Sequence, residues 1–478
     1  VTAALWTHTE AADATKGRAV GTWSTATGVS IDSRTVAPGD LFIAIRGDNS
    51  DGHAYVQDAL AKGAAAAMVA EDWPDAPADA PLIVVGNTDT GMADLARTAR
   101  KRTKARIVGI TGSVGKTSTK EMLSLALGAL GKTAATEGNL NNHWGLPLSL
   151  SRLPRDAAFG IFELGMNHPG EIEPLSKILE PEVAIITAVE AVHLEYFENE
   201  EGIAEAKAEI FAGMSADGAA VLNRDNRHFE LLQQRADKAG IGNICSFGTS
   251  KDADARLVSI STGDDGSDIA AAIGGQVLLY RLGAPGQHLA MNSLAVLAAA
   301  HTLGVDKHRA MQALGEFRAM KGRGERHTIH LDDGHFTLID ESYNASPASV
   351  RAALEVLGAT ERGPGGRTIA VLGDMLEIGD TAEAAHAALA ADVARNGVEI
   401  VVTAGPLMQN LSRALPKNIT AFHGADSAAI RDMVLDLARP GDVIMIKGSY
   451  GSRMIPIAEA LRALDQSNTP GAAATGRA

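Results

Sequence analysis

Short apolar runs recur along the chain and alternate with stretches whose apolar residues fall at helical spacing. In the first part, Leu41-Phe42-Ile43-Ala44-Ile45 and Leu82-Ile83-Val84-Val85 read as buried strands. Between them Val56, Ala59 and Leu60 give helical spacing over Tyr55 to Ala61, and Trp73-Pro74-Asp75-Ala76-Pro77 reads as a loop. A polar helix over Thr90 to Arg102 leads into a second unit. There the pattern predicts strands at Arg106 to Ile110, Phe159 to Glu163, Val183 to Val189 and Ala219 to Leu222, with a helix over Thr117 to Leu130. The glycine-rich segment Gly263 to Gly275 interrupts this and predicts a small antiparallel excursion. From near residue 317 the alternation resumes, with strands at Phe336 to Ile339, Ile369 to Leu372, Ile400 to Thr403 and Val443 to Ile446.

Alternating strands and helices imply parallel sheets covered on both faces. The expected architecture is therefore α/β in three domains. Residues 1–86 form a small N-terminal α/β unit, 87–316 a central and mainly parallel sheet, and 317–465 a Rossmann-like doubly wound sheet. Residues 466–478 are small and polar and are expected to be a disordered tail. The length of 478 residues agrees with about three domains.

Composition narrows the classes. The formal charge is −15, and no long polybasic run offsets it, so a surface that tracks nucleic-acid phosphates is not expected. The single cysteine, Cys245, excludes an internal disulfide and a cysteine zinc cage, and it reads as a small core residue. Val1 to Gly21 lacks a basic region followed by an apolar core. The longest apolar stretch, Leu289 to Val305, contains Asn292, Ser293 and His301 and reads as a buried helix, not a membrane span. These features together predict a soluble cytoplasmic protein.

The chemistry starts at Thr111-Gly112-Ser113-Val114-Gly115-Lys116-Thr117-Ser118. A strand ends, two glycines free the backbone, and a helix begins. Loop amides and the helix N-terminus make an anion site, Lys116 can reach outer phosphates, and the Thr117 hydroxyl can ligate Mg2+. Ile110 occupies the place of the first glycine of the full phosphate-loop pattern, so this is a shortened variant. The loop predicts ATP binding. Glu163 ends an apolar strand, where it is either a Mg2+ ligand or a capping carboxylate. His193 follows another strand, as a ligand or a structural histidine. Lys207 lies on a helix beside acidic residues, in a pattern that a solvated charged face also produces. Asp340-Glu341-Ser342-Tyr343-Asn344 and Ile446-Lys447-Gly448-Ser449-Tyr450 are further polar strand ends. The run Lys321 to Arg326 suits either phosphate contact or a plain charged surface.

The phosphate loop resembles that of the Mur ligases, the ATP-dependent amide-forming enzymes of peptidoglycan synthesis. The likeness extends over nearly the whole chain. It is carried by Asp32-Ser33-Arg34, Gly39 to Gly47 with Asp51-Gly52-His53, Gly138-Asn139-Leu140-Asn141-Asn142, Asn167 to Ile172, Asp340 to Pro347 and Val371 to Glu377. The Tyr343-Asn344 segment is similar to that of the member acting on D-alanyl-D-alanine, whereas members adding single amino acids usually carry an Asp-Tyr-x-His type sequence there. The resemblance implies ligation of D-alanyl-D-alanine to UDP-N-acetylmuramoyl-tripeptide by a monomer.

It also implies residue roles. Lys116 contacts the γ-phosphate within the loop Gly112 to Ser118. Thr117 and Glu163 hold one Mg2+, and His193 with a carbamylated Lys207 holds a second. Asn292, Arg323 and Asp340 lie on the nucleotide side. Ser33 and Arg34 lie near the uridine, with Asn139, Asn142, Tyr343 and Asn344 on the organic substrates. The chain departs from the family pattern at Glu190 and Ala191, where glycine and proline are usual, at Ser346 for asparagine, and at Tyr450 for arginine.

Overall fold

A computed structural model describes residues 4–77, 79–191 and 194–466. His193 and the tail beyond Gln466 lie outside the described residues.

The continuous apolar runs become strands because helices cover them from both sides. Arg106–Thr111 pairs in parallel with Phe159–Glu163 on one edge and Val183–Ile186 on the other. Every residue of Phe159–Glu163 and Val183–Ile186 is buried, as two-sided parallel strands require. The pleat divides their side chains between two cores. Ile107 and Phe162 pack with Leu179 on one face, and Val108 and Ile110 pack with Leu123 and Leu294 on the other.

The central sheet has nine strands among the described residues. From one edge they run Thr133–Ala135, Phe159–Glu163, Arg106–Thr111, Val183–Ile186, Ala219–Asn223, Asn243–Gly248, Ala255–Thr262, Ser267–Ile273 and Gln276–Leu282. The last three form the expected antiparallel excursion. It is longer than its glycine-rich segment, because alternate residues along the flanking strands are buried and extend it on both sides. Gly274 and Gly275, with φ of 59° and 77°, make the two-residue hairpin turn.

The third unit is a six-stranded sheet in the order Glu325–Leu331, Gly334–Glu341, Val443–Lys447, Thr368–Gly373, Ile400–Ala404, Thr420–Gly424. Only its first pairing is antiparallel. The first unit is a five-stranded sheet over residues 18–85. The fold is α/β throughout. The stretch read as a buried helix is the helix Gln287–Thr302, with Leu289, Leu294 and Val296 in the core. No helix among the described residues is long and apolar enough to cross a membrane.

Two differences from the sequence pattern have local causes. The strand expected to run to Val189 ends at Ile186. Thr187 and Ala188 instead turn onto the phosphate loop, where the Thr187 hydroxyl donates to Val114 O at 2.6 Å and Ser113 N–H donates to Ala188 O at 2.8 Å. The helix expected from Thr90 starts at Thr88, because the Asn87 side chain caps it by accepting from Thr90 N–H.

That helix, Thr88–Arg102, is shared. Met92, Leu95 and Ala99 enter the core of the first unit, while Ala96 enters the core of the central one. Trp6 reinforces the junction. It is fully buried, its indole N–H donates to Ser151 O at 3.0 Å, and the Arg102 guanidinium lies 3.8 Å from its ring centre. Trp6→Ala is therefore expected to cost about 3–5 kcal/mol in stability. Chemical denaturation checks this, and a loss below about 1 kcal/mol would contradict the packing role.

Candidate active site

The site is built on the edge where the central parallel strands end. Arg106–Thr111 stops, the backbone turns through Gly112 and Gly115, and the helix Lys116–Gly128 begins. Both glycines are required. A Cβ on Gly112 would lie 1.9 Å from Thr187 Oγ1, and one on Gly115 would lie 2.7 Å from Asn292 Oδ1. Gly115 also has φ 84°, which only glycine adopts without strain. Ser113 ties the loop down from the far side, donating to Glu190 O at 3.1 Å and accepting from Glu190 N–H at 3.0 Å.

The Lys116 ammonium donates to Gly112 O at 2.6 Å, so it is folded over the loop. Burial lowers its pKa, Glu163 opposes that shift, and Arg323 adds to it. Thr117 Oγ1 donates to Glu163 Oε2 at 3.1 Å, and Asn141 Nδ2 donates to Oε1 at 2.8 Å. The Glu163 side chain forms no ion pair among the described residues, although the residue is only 2% exposed. A buried carboxylate with no ion pair among the described residues, beside a hydroxyl and a phosphate-type loop, offers the hard oxygen donors that suit a divalent cation.

Lys207 resolves the two readings left open by its spacing. It is buried, not solvated, and makes no hydrogen bond or ion pair among the described residues. Burial first, and Lys116 second, push its pKa well below the ordinary lysine value. Helical spacing did not reveal this, because the acidic neighbours Glu205 and Glu209 turn elsewhere, to Arg235 and to the backbone N–H groups of Gly170, Ile172 and Glu173.

The phosphate loop and Glu163 open onto a cleft of about 780 Å³ between the central and third units. Of the residues singled out from sequence, the loop residues from Ser113 to Ser118, with Asn139, Glu163 and Asn292, line it from the central unit. Arg323, Tyr343 and Asn344 line it from the other side. The Arg323 guanidinium stacks 4.1 Å from the Tyr343 ring centre, and Tyr450 lies against the same ring at 6.0 Å.

Six of the described residues singled out earlier do not line it: Gly112 and Lys207, whose places are given above, and four others. Asp340 is buried behind the cleft wall, accepting from Ser342 N–H at 3.1 Å and Ser342 Oγ at 2.5 Å, with Arg462 at 3.5 Å. The same arginine lies 3.8 Å from Glu325, so the carboxylates of the Glu325–His327–Asp340 group already share a cation. Asn142 accepts from Gly145 N–H at 2.8 Å at the start of the next helix. Ser33 and Arg34 belong to the first unit, where the exposed Arg34 is paired with Asp32 at 2.7 Å.

The cleft also contains groups to which the sequence pattern assigned no role. Lys447 ends a buried strand and donates to Glu341 Oε2 and Asn344 O, each at 3.0 Å. Its position at a strand end was a usable signal. His288 and Asn141 also line the cleft, and nothing in local pattern marked His288. Burial lowers the His288 pKa, and the nearby Glu341 opposes this.

Comparison with known proteins agrees with this geometry. Residues 25–100 match the Mur ligase family catalytic domain, 110–300 the Mur ligase middle domain, and 322–450 the Mur ligase glutamate ligase domain. The chain belongs to the Mur ligase family. It is 35% identical to the UDP-N-acetylmuramoyl-tripeptide--D-alanyl-D-alanine ligase of Rickettsia prowazekii, over 90% of this chain and 94% of the relative. With the ligase of that name from Bacillus subtilis the identity is 32%, over 91% and 93%. A crystal structure of MurF from Acinetobacter baumannii superposes with a TM-score of 0.84 at 29% identity, covering 96% of this chain and 99% of that one. MurF ligase from Thermotoga maritima in complex with ADP gives 0.75 at 27% identity, covering 91% and 96%.

The geometry at Gly115 sets a direct test of the loop. Gly115→Ala forces a strained φ and a clash with Asn292, so ADP binding should weaken at least tenfold, about 1.4 kcal/mol by calorimetry. Unchanged affinity would show that the loop does not cradle phosphates.

Proposed function

We propose that this chain uses ATP to join D-alanyl-D-alanine to UDP-N-acetylmuramoyl-tripeptide, giving the UDP-muramoyl-pentapeptide, ADP and phosphate. The observation that carries the reading is the buried Glu163 carboxylate accepting from the half-buried Thr117 under a phosphate loop. It faces a cleft whose opposite wall carries Tyr343 and Asn344. Similarity to ligases of this activity over nine-tenths of the chain supports the choice of substrates.

The chemistry has two steps. A carboxylate oxygen of the tripeptide attacks the γ-phosphorus of ATP, the bond to the β–γ bridging oxygen breaks, and ADP leaves with that electron pair. The amine of the dipeptide, having lost its ammonium proton to solvent, then attacks the acyl carbon; the acyl C–O bond breaks, and phosphate leaves with that electron pair and takes up the proton the nitrogen releases as the amide forms. The first step brings two anions together, and one pair of unit charges at 4 Å costs about 4 kcal/mol at an effective dielectric of 20. Lys116, released from Gly112 O, would neutralise part of that charge, and the loop amides would bind the rest. Thr117 and Glu163 would hold Mg2+, which when bound screens the phosphate oxygens. Asn292 and Arg323 reach the nucleotide from the two walls. Asn139, Tyr343 and Asn344 face the organic substrates, with Asn142 holding the start of the helix beside them, and Ser33 and Arg34 lie on the side of the uridine. Asp340 acts behind the wall, by fixing Ser342. Closure of the third unit over the central one would shield the acyl phosphate from water. All these groups come from one chain, so a monomer suffices, with residues 1–86, 87–316 and 317–465 as its working units.

Phosphate release should require both the UDP-tripeptide and D-alanyl-D-alanine. Lys116→Ala should lower turnover by about a thousandfold or more, while calorimetry shows UDP-substrate binding within about threefold of the parent. Ligation of a free amino acid to a UDP-dipeptide precursor, or full turnover of Lys116→Ala, would defeat the proposal.

Lys207 is assigned as a carbamate. An ammonium is a poor neighbour for Mg2+, whereas the depressed pKa supplies the neutral amine that adds CO2 with loss of a proton. The product bears a negative charge and two oxygens, and with His193 it would form the second metal position. Intact mass spectrometry under CO2 and Mg2+ should show the added carbon dioxide, lost in Lys207→Ala. That variant should be nearly inactive, and a small carboxylic acid should restore part of the rate. Full activity of Lys207→Ala would rule the carbamate out.

A further inference from the structure

Behind the phosphate loop sits a charged side chain that the reaction scheme leaves without a task. Lys120 is one turn beyond Thr117 in the helix Lys116–Gly128, and it is only 1% exposed. Its ammonium donates to Thr136 O at 2.6 Å and lies 2.6 Å from the half-exposed Glu121 carboxylate. Burying a lysine is costly, and a single carbonyl needs no ammonium to satisfy it. What the long side chain adds is a tether from the phosphate helix to the end of the neighbouring edge strand.

Thr136 is where that tether branches. It is itself 1% exposed, its N–H donates to Ile161 O at 2.9 Å, and its hydroxyl accepts from Glu163 N–H at 3.2 Å. The chain then runs directly into 137–142. There Asn141 returns to Glu163 through its side chain, while its carbonyl accepts from Gly165 N–H at 2.8 Å. Asn139 projects from the same loop into the main cleft. It also projects into an adjoining cavity of about 430 Å³, which Lys120 and Thr117 line as well. One closed circuit therefore joins the phosphate helix, the Glu163 strand end and the substrate-facing loop.

We propose that Lys120 is a positioning residue. By holding Thr136 O, it sets where loop 137–142 places Asn141 against Glu163 and Asn139 against the UDP-substrate. The substrate arm of this inference rests on the ligase reading above; the Glu163 arm does not. The function matches the placement. The Lys120 side chain bonds to Thr136 O and pairs with Glu121, and among the described residues it bonds to none of 112–116, so its loss should not disturb the phosphate amides.

The test uses the full-length enzyme with Lys120→Met. Amide exchange across 137–142 should accelerate in the metal-free protein. The Mg2+ concentration needed for tight ADP binding and the KM for UDP-N-acetylmuramoyl-tripeptide should each rise about tenfold, while metal-free ADP affinity stays within about threefold. Thr136→Val removes the hydroxyl beneath Glu163 but keeps the carbonyl. It should raise the Mg2+ requirement too, and less than additively in combination with Lys120→Met. A merely structural lysine would instead lower the melting temperature and degrade every constant together. That outcome, or unchanged loop exchange with an unchanged Mg2+ requirement, overturns the proposal. If Lys120→Met does not fold, Thr136→Val decides alone: a raised Mg2+ requirement at constant metal-free ADP affinity supports the circuit, and an unchanged one refutes it. ADP binding needs neither organic substrate. A parent enzyme that failed to ligate would therefore refute the substrate reading and leave this arm standing.

Discussion

Parallel pairing of Arg106–Thr111 with Phe159–Glu163 places Glu163 opposite Ile110, so the carboxylate and the phosphate loop leave the sheet side by side. The remainder of the site depends on that register. A shift of one residue would turn Glu163 into the core and bring Leu164 to the edge, because side chains alternate across the pleat. In the observed register the carboxylate is buried at the sheet edge, held by two neutral donors, with no ion pair among the described residues and only the nearby Lys116 charge set against its own. That is an unfavourable arrangement for stability alone. It persists because Phe162, Ile161 and Leu164 on either side of it are packed into two separate cores.

The third unit complements this edge by chemistry of the opposite sign. Arg323 stacks on Tyr343 and makes no ion pair among the described residues, and Lys447 stands at the wall bonded to Glu341. An overall acidic chain thus presents local cations where anionic ligands would enter, which is how a protein with a charge of −15 can bind phosphates. The aromatic pair Tyr343 and Tyr450 belongs to the same wall. Tyr450 is 68% exposed and sets a phenol ring at the mouth of the cleft.

Much of this was legible from the chain alone. Apolar runs located the strands because parallel sheets bury both faces. The phosphate loop was legible because its glycines, lysine and threonine are consecutive. Glu163 was visible as a polar residue closing an apolar run, but its role was not. The partners that define it, Thr117 and Asn141, lie 46 and 22 residues away in sequence. Lys207 was read from spacing as a surface charge, and only the packing of its helix shows it buried. Asp340 shows the opposite limit. Its place at a strand end suggested a ligand position, yet a serine two residues on and Arg462 from the last helix draw it inward. Local pattern reports what a residue can do, and long-range packing decides where it does it.

The shared helix Thr88–Arg102 bears on how such enzymes can be rearranged. Its opposite flanks are committed to different neighbours, Met92 and Leu95 to the first sheet and Ala96 to the second. The N-terminal unit is therefore not a cassette that recombination could exchange at a single crossover. A donor unit cut before the helix would meet a foreign surface, and one cut after it would carry the wrong face to the ATP-binding core. New recognition by the first unit is reached more readily by point substitution in the loops of its sheet than by swapping the sheet itself.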